Sequence, residues 1–381
     1  MRVLTITPFY PSAVDDGHGC FVSEPLLWTE RIGVSNVVLA VQPLHRGKVE
    51  LSPAASRAEW IRYLSVPGGW GLSGAGAFLF ARIVGHVRAL HRDRRIDVIH
   101  AHAPLPCGHA ALLLNRELGI PFVVSVHGLD AYSDVQVGGR PGQWCRRASQ
   151  MVYRSARRVI CVSEHVRKQV LNGSVEAYHT SVVYNGVDPE LFATGRDARS
   201  ERPTILSVGN LIPTKGQAIL LRALAAIRGE HRDVTCEIVG DGHEREHLEQ
   251  LTRQLNVDDR VRFLGRKSRR ELADAFRRCT LFVLPSYYEG LGCVYLEAMA
   301  SERVAIGCRG QGIEEIIRHG INGWLSDPRS VGDLASGLAR LLSDSNLRST
   351  IATRGRLTIL QGLTLAHQAA RLVAIYGEVA A

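Results

Sequence analysis

The sequence predicts an α/β protein of two successive doubly wound domains, each built on a parallel sheet. Three observations predict it. Short, β-branched and almost wholly apolar runs alternate with helical patterns, which is how a parallel sheet covered on both faces reads. The alternation breaks once, near residues 185–203, and then restarts; 381 residues is a natural length for two domains. Several strands run into glycine-containing loops that lead into helices, and ligands of such sheets bind at the carboxyl ends of strands.

Composition narrows the class. Hydrophobic content of 45% and charged content of 22% suit a globular chain. No apolar run approaches the roughly 18 residues that span a bilayer. The start, Met1-Arg2-Val3-Leu4-Thr5-Ile6-Thr7-Pro8, lacks the apolar core and cleavage site of a signal peptide and reads as a first strand. Eight scattered cysteines with no CxxC pair argue against zinc and a disulfide framework and point to a reducing, cytoplasmic setting. The net charge of +9 is carried by arginine, since Lys48, Lys168, Lys215 and Lys267 are the only lysines. Between Asp134 and Glu164 no acid falls, yet Arg140, Arg146, Arg147, Arg154, Arg157 and Arg158 do. That block reads either as a solvated helix face or as a surface meeting anionic lipid or an anionic acceptor. Nucleic acid is not expected, because no binding module accompanies the charge.

In the first domain, a strand over 1–8 leads into a Pro/Asp/Gly loop at 10–19 and a helix at 21–31. A strand follows at 36–41. Residues 43–70 are mixed, with an apolar glycine loop expected at 67–74. A helix is expected over 75–92, with Phe78, Ile83, Val87 and Leu90 at helical spacing. Then come a strand at 97–102, a helix at 107–118, a strand at 122–128, a helix at 142–156 and a strand at 158–163. Ser163 suits the N-cap of a helix at 164–171, and a strand at 181–184 closes the half. His100, His102 and His127 all fall at carboxyl ends of strands.

The turn Asn185-Gly186-Val187-Asp188-Pro189 and the polar stretch 194–203 mark the boundary. Strands are then expected at 204–209, 235–240, 261–265, 280–286 and 304–307. Helices are expected at 216–228, 243–255, 269–278, 312–318, 331–342 and 346–355. A last helix at 364–376 places Leu365, Ala369, Leu372, Val373 and Tyr376 on one face.

The second domain is organised around Tyr287-Tyr288-Glu289-Gly290-Leu291-Gly292-Cys293-Val294-Tyr295-Leu296-Glu297-Ala298-Met299-Ala300. A strand, a glycine loop and a helix succeed one another there. That order aims backbone N–H groups and a helix dipole at one spot, a ready anion site. Glu289 lies beside it and Glu297 about two turns along the helix. Two carboxylates flanking an anion site suit a ligand with phosphates and hydroxyls, a sugar nucleotide. Lys215, after Val208-Gly209-Asn210-Leu211-Ile212-Pro213-Thr214, stands just before a helix. Cations are disfavoured at helix N-termini, so it reads as a charge held for a phosphate rather than a surface lysine. Val239-Gly240-Asp241-Gly242 is a glycine turn but not a dinucleotide fingerprint, because GxGxxG would need glycine at Arg245. His127-Gly128-Leu129-Asp130 reads either as a hydrogen-bonded core histidine or as a group approached by a ligand. Gly307 to Glu315 reads either as a helix cap or as a wall of the nucleotide pocket.

On these motifs, with Tyr184-Asn185-Gly186-Val187-Asp188 and Gly320-Ile321-Asn322-Gly323-Trp324-Leu325, the chain resembles glycosyltransferase family 4 over essentially its whole length. The resemblance implies the GT-B fold: two Rossmann-like domains facing a central cleft, here an acceptor domain at 1–188 and a nucleotide-sugar domain at 189–362. The helix of 363–381 would cross back onto the first domain. It also implies a retaining, metal-independent hexosyl transfer from a UDP- or GDP-sugar, in cell-surface polysaccharide or glycoconjugate synthesis. By resemblance, Glu297 meets the ribose, Glu289 the donor sugar, and Lys215 the diphosphate. The segment Gly290-Leu291-Gly292-Cys293 meets the distal phosphate, His127 the transferred sugar, and Gly17 and Gly19 the diphosphate. His102 and Asp130 are candidates on the acceptor side, and Gly240 on the donor side. No cofactor is expected beyond the donor itself.

One departure stands out. Where the family has Arg, this chain has Asn210, so one cation of an Arg/Lys pair on the diphosphate is gone; Arg266 and Lys267 are candidates to replace it. The expected partners are a nucleotide sugar, a glycan or lipid-linked acceptor and the inner face of a membrane, with the protein a monomer or homodimer. A non-catalytic GT-B subunit that binds nucleotide and partners a true transferase is the rival reading.

Overall fold

The computed structural model describes residues 1–13, 15–47, 57–66, 69–131, 139–172, 176, 179–194 and 202–381. Lys48, Pro67, Gly68, Asp134 and most of the polar stretch at 194–203 lie outside the described residues. The chain forms two compact units: Met1–Tyr184 with Leu365–Ala381, and Asn185–Thr364.

The first unit is a seven-stranded sheet. Its elements are β1 (Arg2–Thr7), α1 (Cys20–Arg31), β2 (Ser35–Pro43), β3 (Glu59–Tyr63), α2 (Gly69–Asp93), β4 (Val98–His102), an irregular turn at Pro104–Gly108 and α3 (His109–Leu118). There follow β5 (Phe122–Val126), a 3-10 turn at Leu129–Ala131, α4 (Gly139–Ser155), β6 (Arg158–Cys161), α5 (Glu164–Leu171) and β7 (Thr180–Val182). The order is β3-β2-β1-β4-β5-β6-β7, with parallel pairing throughout. β1, β4 and β5 are buried along their whole length, as strands covered on both faces must be. Ser163 caps α5, its hydroxyl accepting from the N–H of Val166 at 3.1 Å. The last helix, α12 (Leu365–Ala380), belongs to this unit. Leu372, Ile375 and Tyr376 pack there with Val3, Val98, Val123 and Ile160 from four neighbouring strands.

Two expectations are corrected here. Residues 71–74 are not an apolar loop but the start of α2. Gly71 and, further along, Gly76 serve close approach rather than flexibility. A Cβ on Gly71 would lie 2.4 Å from the carbonyl oxygen of Val66, and one on Gly76 2.5 Å from Cβ of His109. The core stripe of α2 is Ala75, Leu79, Ile83 and Val87, all fully buried, while Phe78 faces outward, 53% exposed. The edge strand β3 was not read in the sequence, because its burial alternates over only five residues.

The second unit is a six-stranded parallel sheet in the order β10-β9-β8-β11-β12-β13. Its elements are β8 (Thr204–Val208), a 3-10 turn at Pro213–Lys215, α6 (Gln217–Ala226), β9 (Thr235–Val239), α7 (Arg245–Gln254), β10 (Val261–Gly265) and α8 (Arg269–Arg278). There follow β11 (Leu281–Val283), α9 (Cys293–Ala300), β12 (Val304–Cys308), β13 (Trp324–Ser326), α10 (Val331–Ser343) and α11 (Ser345–Gly362). The helix expected at 312–318 is only a 3-10 turn, Gly312–Glu315. Asn322 explains this: its Oδ1 accepts from the N–H of Arg318 at 2.7 Å and its Nδ2 donates to the carbonyl of Ile316 at 3.0 Å. A side chain that takes over backbone groups in this way competes with helix propagation.

In each sheet the strand order reverses once, between β1 and β4 and between β8 and β11. Loops leaving the carboxyl ends of those strands diverge, which is where ligands of doubly wound sheets bind. Both sets of candidate residues belong to these loops or their neighbours.

Candidate functional site

In the second unit, tight glycine contacts shape the loops after β8 and β9. Gly216 has φ +73°, and a Cβ there would sit 2.2 Å from the carbonyl oxygen of Pro285. Gly240 has φ +133°, and a Cβ would sit 2.0 Å from the carbonyl oxygen of Gly209. Both need glycine for geometry alone. The turn that ends at Gly216 presents Lys215, whose Nζ makes an ion pair with Oε2 of Glu289. Both side chains are largely buried, at 18% and 14% exposure. Gln311 braces the acid from behind: its Oε1 accepts from the N–H of Glu289 at 2.9 Å. The 310–315 loop is thus a support for the Glu289 backbone, and Glu314 closes that loop on itself through the N–H of Gly310 at 2.6 Å.

α9 starts at Cys293 after Gly292, whose φ of +80° turns the chain into the helix. Cys293 is half-buried, and its Sγ accepts from Nδ2 of Asn185 at 3.3 Å. Glu297 lies one turn further on and is 2% exposed. Its Oε1 is paired with Nη1 of Arg269, whose guanidinium also lies 4.9 Å from the ring centre of Phe192. Its Oε2 is buried and has no partner. Buried polar atoms normally have partners, so this oxygen marks a place for a donor group.

The residues offered as substitutes for the missing arginine sit differently. Asn210 is exposed, and its carbonyl accepts from Nε2 of Gln217 at 3.2 Å. Lys267 is committed to Glu271 at 2.9 Å, within the capping box of α8. Arg266 is exposed, just past the end of edge strand β10. The buried cation of this region is Arg269, which the sequence reading missed. The signal was the one applied to Lys215, a cation in a helix's first turn, where it opposes the dipole.

In the first unit, β4 and β5 place three imidazoles in a row. His100 and His102 point to one face of β4 and stack, with ring centres 4.2 Å apart. His102 Nδ1 lies 3.0 Å from His127 Nε2, the rings inclined by only 12°. His100 is held at both nitrogens, by the hydroxyl of Tyr376 on α12 at 2.6 Å and by Ser125 at 2.7 Å. Burial lowers the pKa of His100 and of His127 to about 3, with His127 adding to the effect at His100. Burial, then its two neighbouring imidazoles, puts His102 well below the usual value. All three rings are neutral at pH 7. The outer side of His127 meets Phe21 at 4.7 Å and Phe9 at 5.7 Å between ring centres.

Asp130 acts on the backbone. Its Oδ1 accepts from the N–H groups of His127 and Gly128, both at 2.8 Å. Burial raises its pKa to about 6 despite those bonds. Gly17 closes the turn before α1, its carbonyl accepting from the N–H of Cys20 at 3.3 Å. Gly19 has φ +73° and would place a Cβ 2.4 Å from the carbonyl carbon of Phe9, so it holds the loop onto β1's exit. Thus His102, His127 and Asp130 come together in one unit, and Lys215, Glu289 and Glu297 in the other.

Comparison with known proteins bears on the family and the fold. Residues 41–191 match the family described as Glycosyltransferase Family 4, and residues 193–358 match Glycosyl transferases group 1. An uncharacterised glycosyltransferase of Methanocaldococcus jannaschii is 31% identical over 261 residues, which is 68% of this chain and 70% of that protein. A D-inositol 3-phosphate glycosyltransferase of Kribbella flavida is 29% identical over 293 residues, 71% of this chain and 69% of that one. In fold, sucrose-phosphate synthase of Thermosynechococcus elongatus superposes with a TM-score of 0.82 at 21% identity, covering 99% of this chain and 98% of that one. HepE of Anabaena, solved with UDP and glucose, gives 0.81 at 21% identity, covering 99% of both chains.

Proposed function

The chain belongs to glycosyltransferase family 4, with the GT-B fold, and we propose that it moves a hexose, with retention, from a UDP- or GDP-sugar to a glycan or lipid-linked acceptor. The observation that carries the reading is the open, buried Oε2 of Glu297, one turn inside the helix that starts at the glycine loop. A carboxylate oxygen without a donor, held in place through its other oxygen by Arg269, suits a ribose hydroxyl.

The remaining residues take roles from there. An ammonium has three donors and Glu289 engages one, so Lys215 can hold Glu289 and a phosphate oxygen together. As the bond to the anomeric carbon breaks, charge builds on the leaving diphosphate. Lys215 and the N-terminus of α9 are oriented beforehand to meet it, the kind of electrostatic help that contributes most to such steps. Glu289 meets hydroxyls of the sugar. With Lys215 and Arg269 already paired to acids, the helix end bears more of the diphosphate's charge, and Arg266, exposed just past the end of β10, is the candidate to add to it. The acceptor hydroxyl attacks from the face that the leaving group vacates, and its proton passes to the leaving phosphate, so the product keeps the donor's configuration. No metal is required for this scheme. In the first unit, His127 and His102 offer neutral imidazoles to sugar hydroxyls.

Peripheral membrane contact is part of the proposal. On α4, Arg140, Trp144, Arg147, Met151 and Arg154 recur at spacings of four and three and are exposed, with Trp144 at 44% and Met151 at 37%. A basic stripe interleaved with apolar side chains suits anionic headgroups at an interface. Among the described residues, no helix is long and apolar enough to cross a membrane.

A screen of UDP- and GDP-sugars for hydrolysis or transfer, with and without EDTA, tests the activity. Turnover retained in EDTA with an NMR-defined retained product is the expected result. An inverted product overturns the mechanism, and nucleotide binding with no turnover of any donor favours the non-catalytic subunit.

A further inference from the structure

The ion pair between Lys215 and Glu289 stands beside the residue that opens α9. We infer that it is a release latch. Glu289 yields the charge of Lys215 to a diphosphate while an attached sugar engages the carboxylate, and reclaims it once the sugar has gone. The site then grips the donor and loosens on the nucleoside diphosphate left behind. This rests on the reading of the chain as a transferase that uses a nucleotide sugar.

Backbone contacts bring the pair to one corner. Gly216, which follows Lys215, lies against Pro285 just past β11, and a Cβ there would stand 2.2 Å from the Pro285 carbonyl oxygen. The carbonyl of Thr214, in the same turn, accepts from the N–H of Tyr287 at 3.0 Å. On the other side, a Cβ on Gly292 would stand 3.1 Å from Cγ of Glu289, so the stem of the acid crosses the residue before α9. Ammonium, carboxylate and helix start therefore share one place. The backbone of Glu289 is held at both ends: its N–H donates to Oε1 of Gln311 at 2.9 Å, and its carbonyl accepts from the N–H of Gly312 at 3.3 Å. Rotation of the side chain is the motion left to the carboxylate.

The electrostatics give this arrangement its consequence. Both side chains are largely buried, where water and salt screen charges weakly. A carboxylate beside Lys215 cancels much of the field an arriving diphosphate would feel, and it repels the phosphates directly. Asn210, in the same loop, is neutral, and Arg269 is paired with Glu297. The charge on Glu289 therefore decides how much of Lys215 a ligand can use. A donor brings sugar hydroxyls, which can hydrogen-bond the carboxylate in place of Lys215. The ammonium has three hydrogens to redirect, so the exchange needs no large movement. The nucleoside diphosphate left after transfer has no such hydroxyls, and its terminal phosphate carries about one further negative charge near pH 7. Glu289 then repels that phosphate and pairs with Lys215 again.

The test is calorimetry of the wild type and Glu289→Gln with UDP, GDP and their sugar-linked forms. The amide keeps the size of the side chain and can still accept from Nζ, but it carries no charge. Glu289→Gln should bind the bare nucleoside diphosphate about tenfold tighter than the wild type does, as expected when a neighbouring like charge is removed. The sugar-linked form should gain nothing, so the preference for the donor disappears. A bare-diphosphate affinity in Glu289→Gln equal to or below that of the wild type overturns the inference and leaves the transferase reading in place. The wild type alone provides a second arm, which decides the matter even if the variant does not fold. It should bind a sugar-linked form more tightly than the same nucleoside diphosphate without its sugar, and the reverse order overturns the latch. Should Glu289→Gln show the tightening while the wild type transfers sugar from no donor, the charge competition stands and the transferase reading falls. A wild type that binds no nucleotide overturns both.

Discussion

Arg269 holds one carboxylate oxygen of Glu297 and leaves the other open, in a setting where the two side chains are 13% and 2% exposed. Removing one partner of such a pair strands a buried charge, at a cost of about 3–5 kcal/mol, whereas replacing both with apolar groups is often nearly neutral. Arg269→Met should therefore lower the thermal midpoint markedly, and Arg269→Met with Glu297→Leu should recover much of the loss. Neither variant should bind UDP or GDP as the wild type does, by calorimetry. Wild-type stability in Arg269→Met would show that the pair is not formed in solution.

The glycine contacts make a second, independent prediction. Gly240 has positive φ, and a Cβ there would stand 2.0 Å from a backbone carbonyl oxygen, which no side-chain rotation relieves. Gly240→Ala should cost at least the 1–3 kcal/mol typical of a strained backbone position, and the β8 and β9 loops should lose protection in hydrogen exchange. By contrast, a Cβ on Gly229 meets nothing within 4 Å. Gly229→Ala should leave the midpoint almost unchanged. Equal effects of the two would refute the packing argument.

The buried imidazoles set a pH dependence with a definite sign. His100 and His127 have folded-state pKa values near 3, below the unfolded value of about 6.5. The unfolded chain therefore binds more protons between those limits, and their contribution, complete above pH 6.5, is lost as pH falls toward 3. Asp130, raised to about 6, opposes this between about pH 6 and 4, because there the folded state binds the extra proton. The groups facing His100 are Tyr376, Ser125, His102 and His127, none of them a carboxylate. Two histidines outweigh one aspartate, so the thermal midpoint should fall on acidification from pH 6.5 to 4.5. His100→Asn should flatten that slope by up to about 1.4 kcal/mol per pH unit, one proton's worth. A slope unchanged in that variant would mean that His100 titrates normally.

The stripe on α4 leads to a charge-reversal test. The wild type should float with vesicles rich in phosphatidylserine at low salt and dissociate as salt screens the attraction. Arg147→Glu with Arg154→Glu should abolish flotation while leaving turnover of soluble donor unchanged. Absence of wild-type binding at low salt removes the membrane contact.

Much of the architecture was readable in the chain alone. Strands covered on both faces are largely apolar, so β1, β4, β5, β8 and β12 announced themselves by composition. The helix α5, with Ser163 as its capping residue, did so by its end. Short or half-buried strands, β3 and β13, carry too few residues for any period to show. Glycine at 71 misled, because a glycine for flexibility and a glycine for close packing look the same until the neighbour is known.

The same division runs through the site. Sequence alone determined which residue types stand at strand ends: Lys215 before a helix, Glu289 and Glu297 around a glycine loop, and histidines at the carboxyl ends of β4 and β5. These are local facts, set by spacing along the chain. Tertiary structure alone decided their partners. Arg269 reaches Glu297 across 28 positions and Gln311 reaches Glu289 across 22, while Tyr376 reaches His100 across 276. Hydrogen bonds and desolvation act over a few ångströms in space, whatever the distance along the chain. Which oxygen of Glu297 stays open, and which groups hold His100 and His127 in place, is therefore settled only once the sheets have brought distant residues into contact.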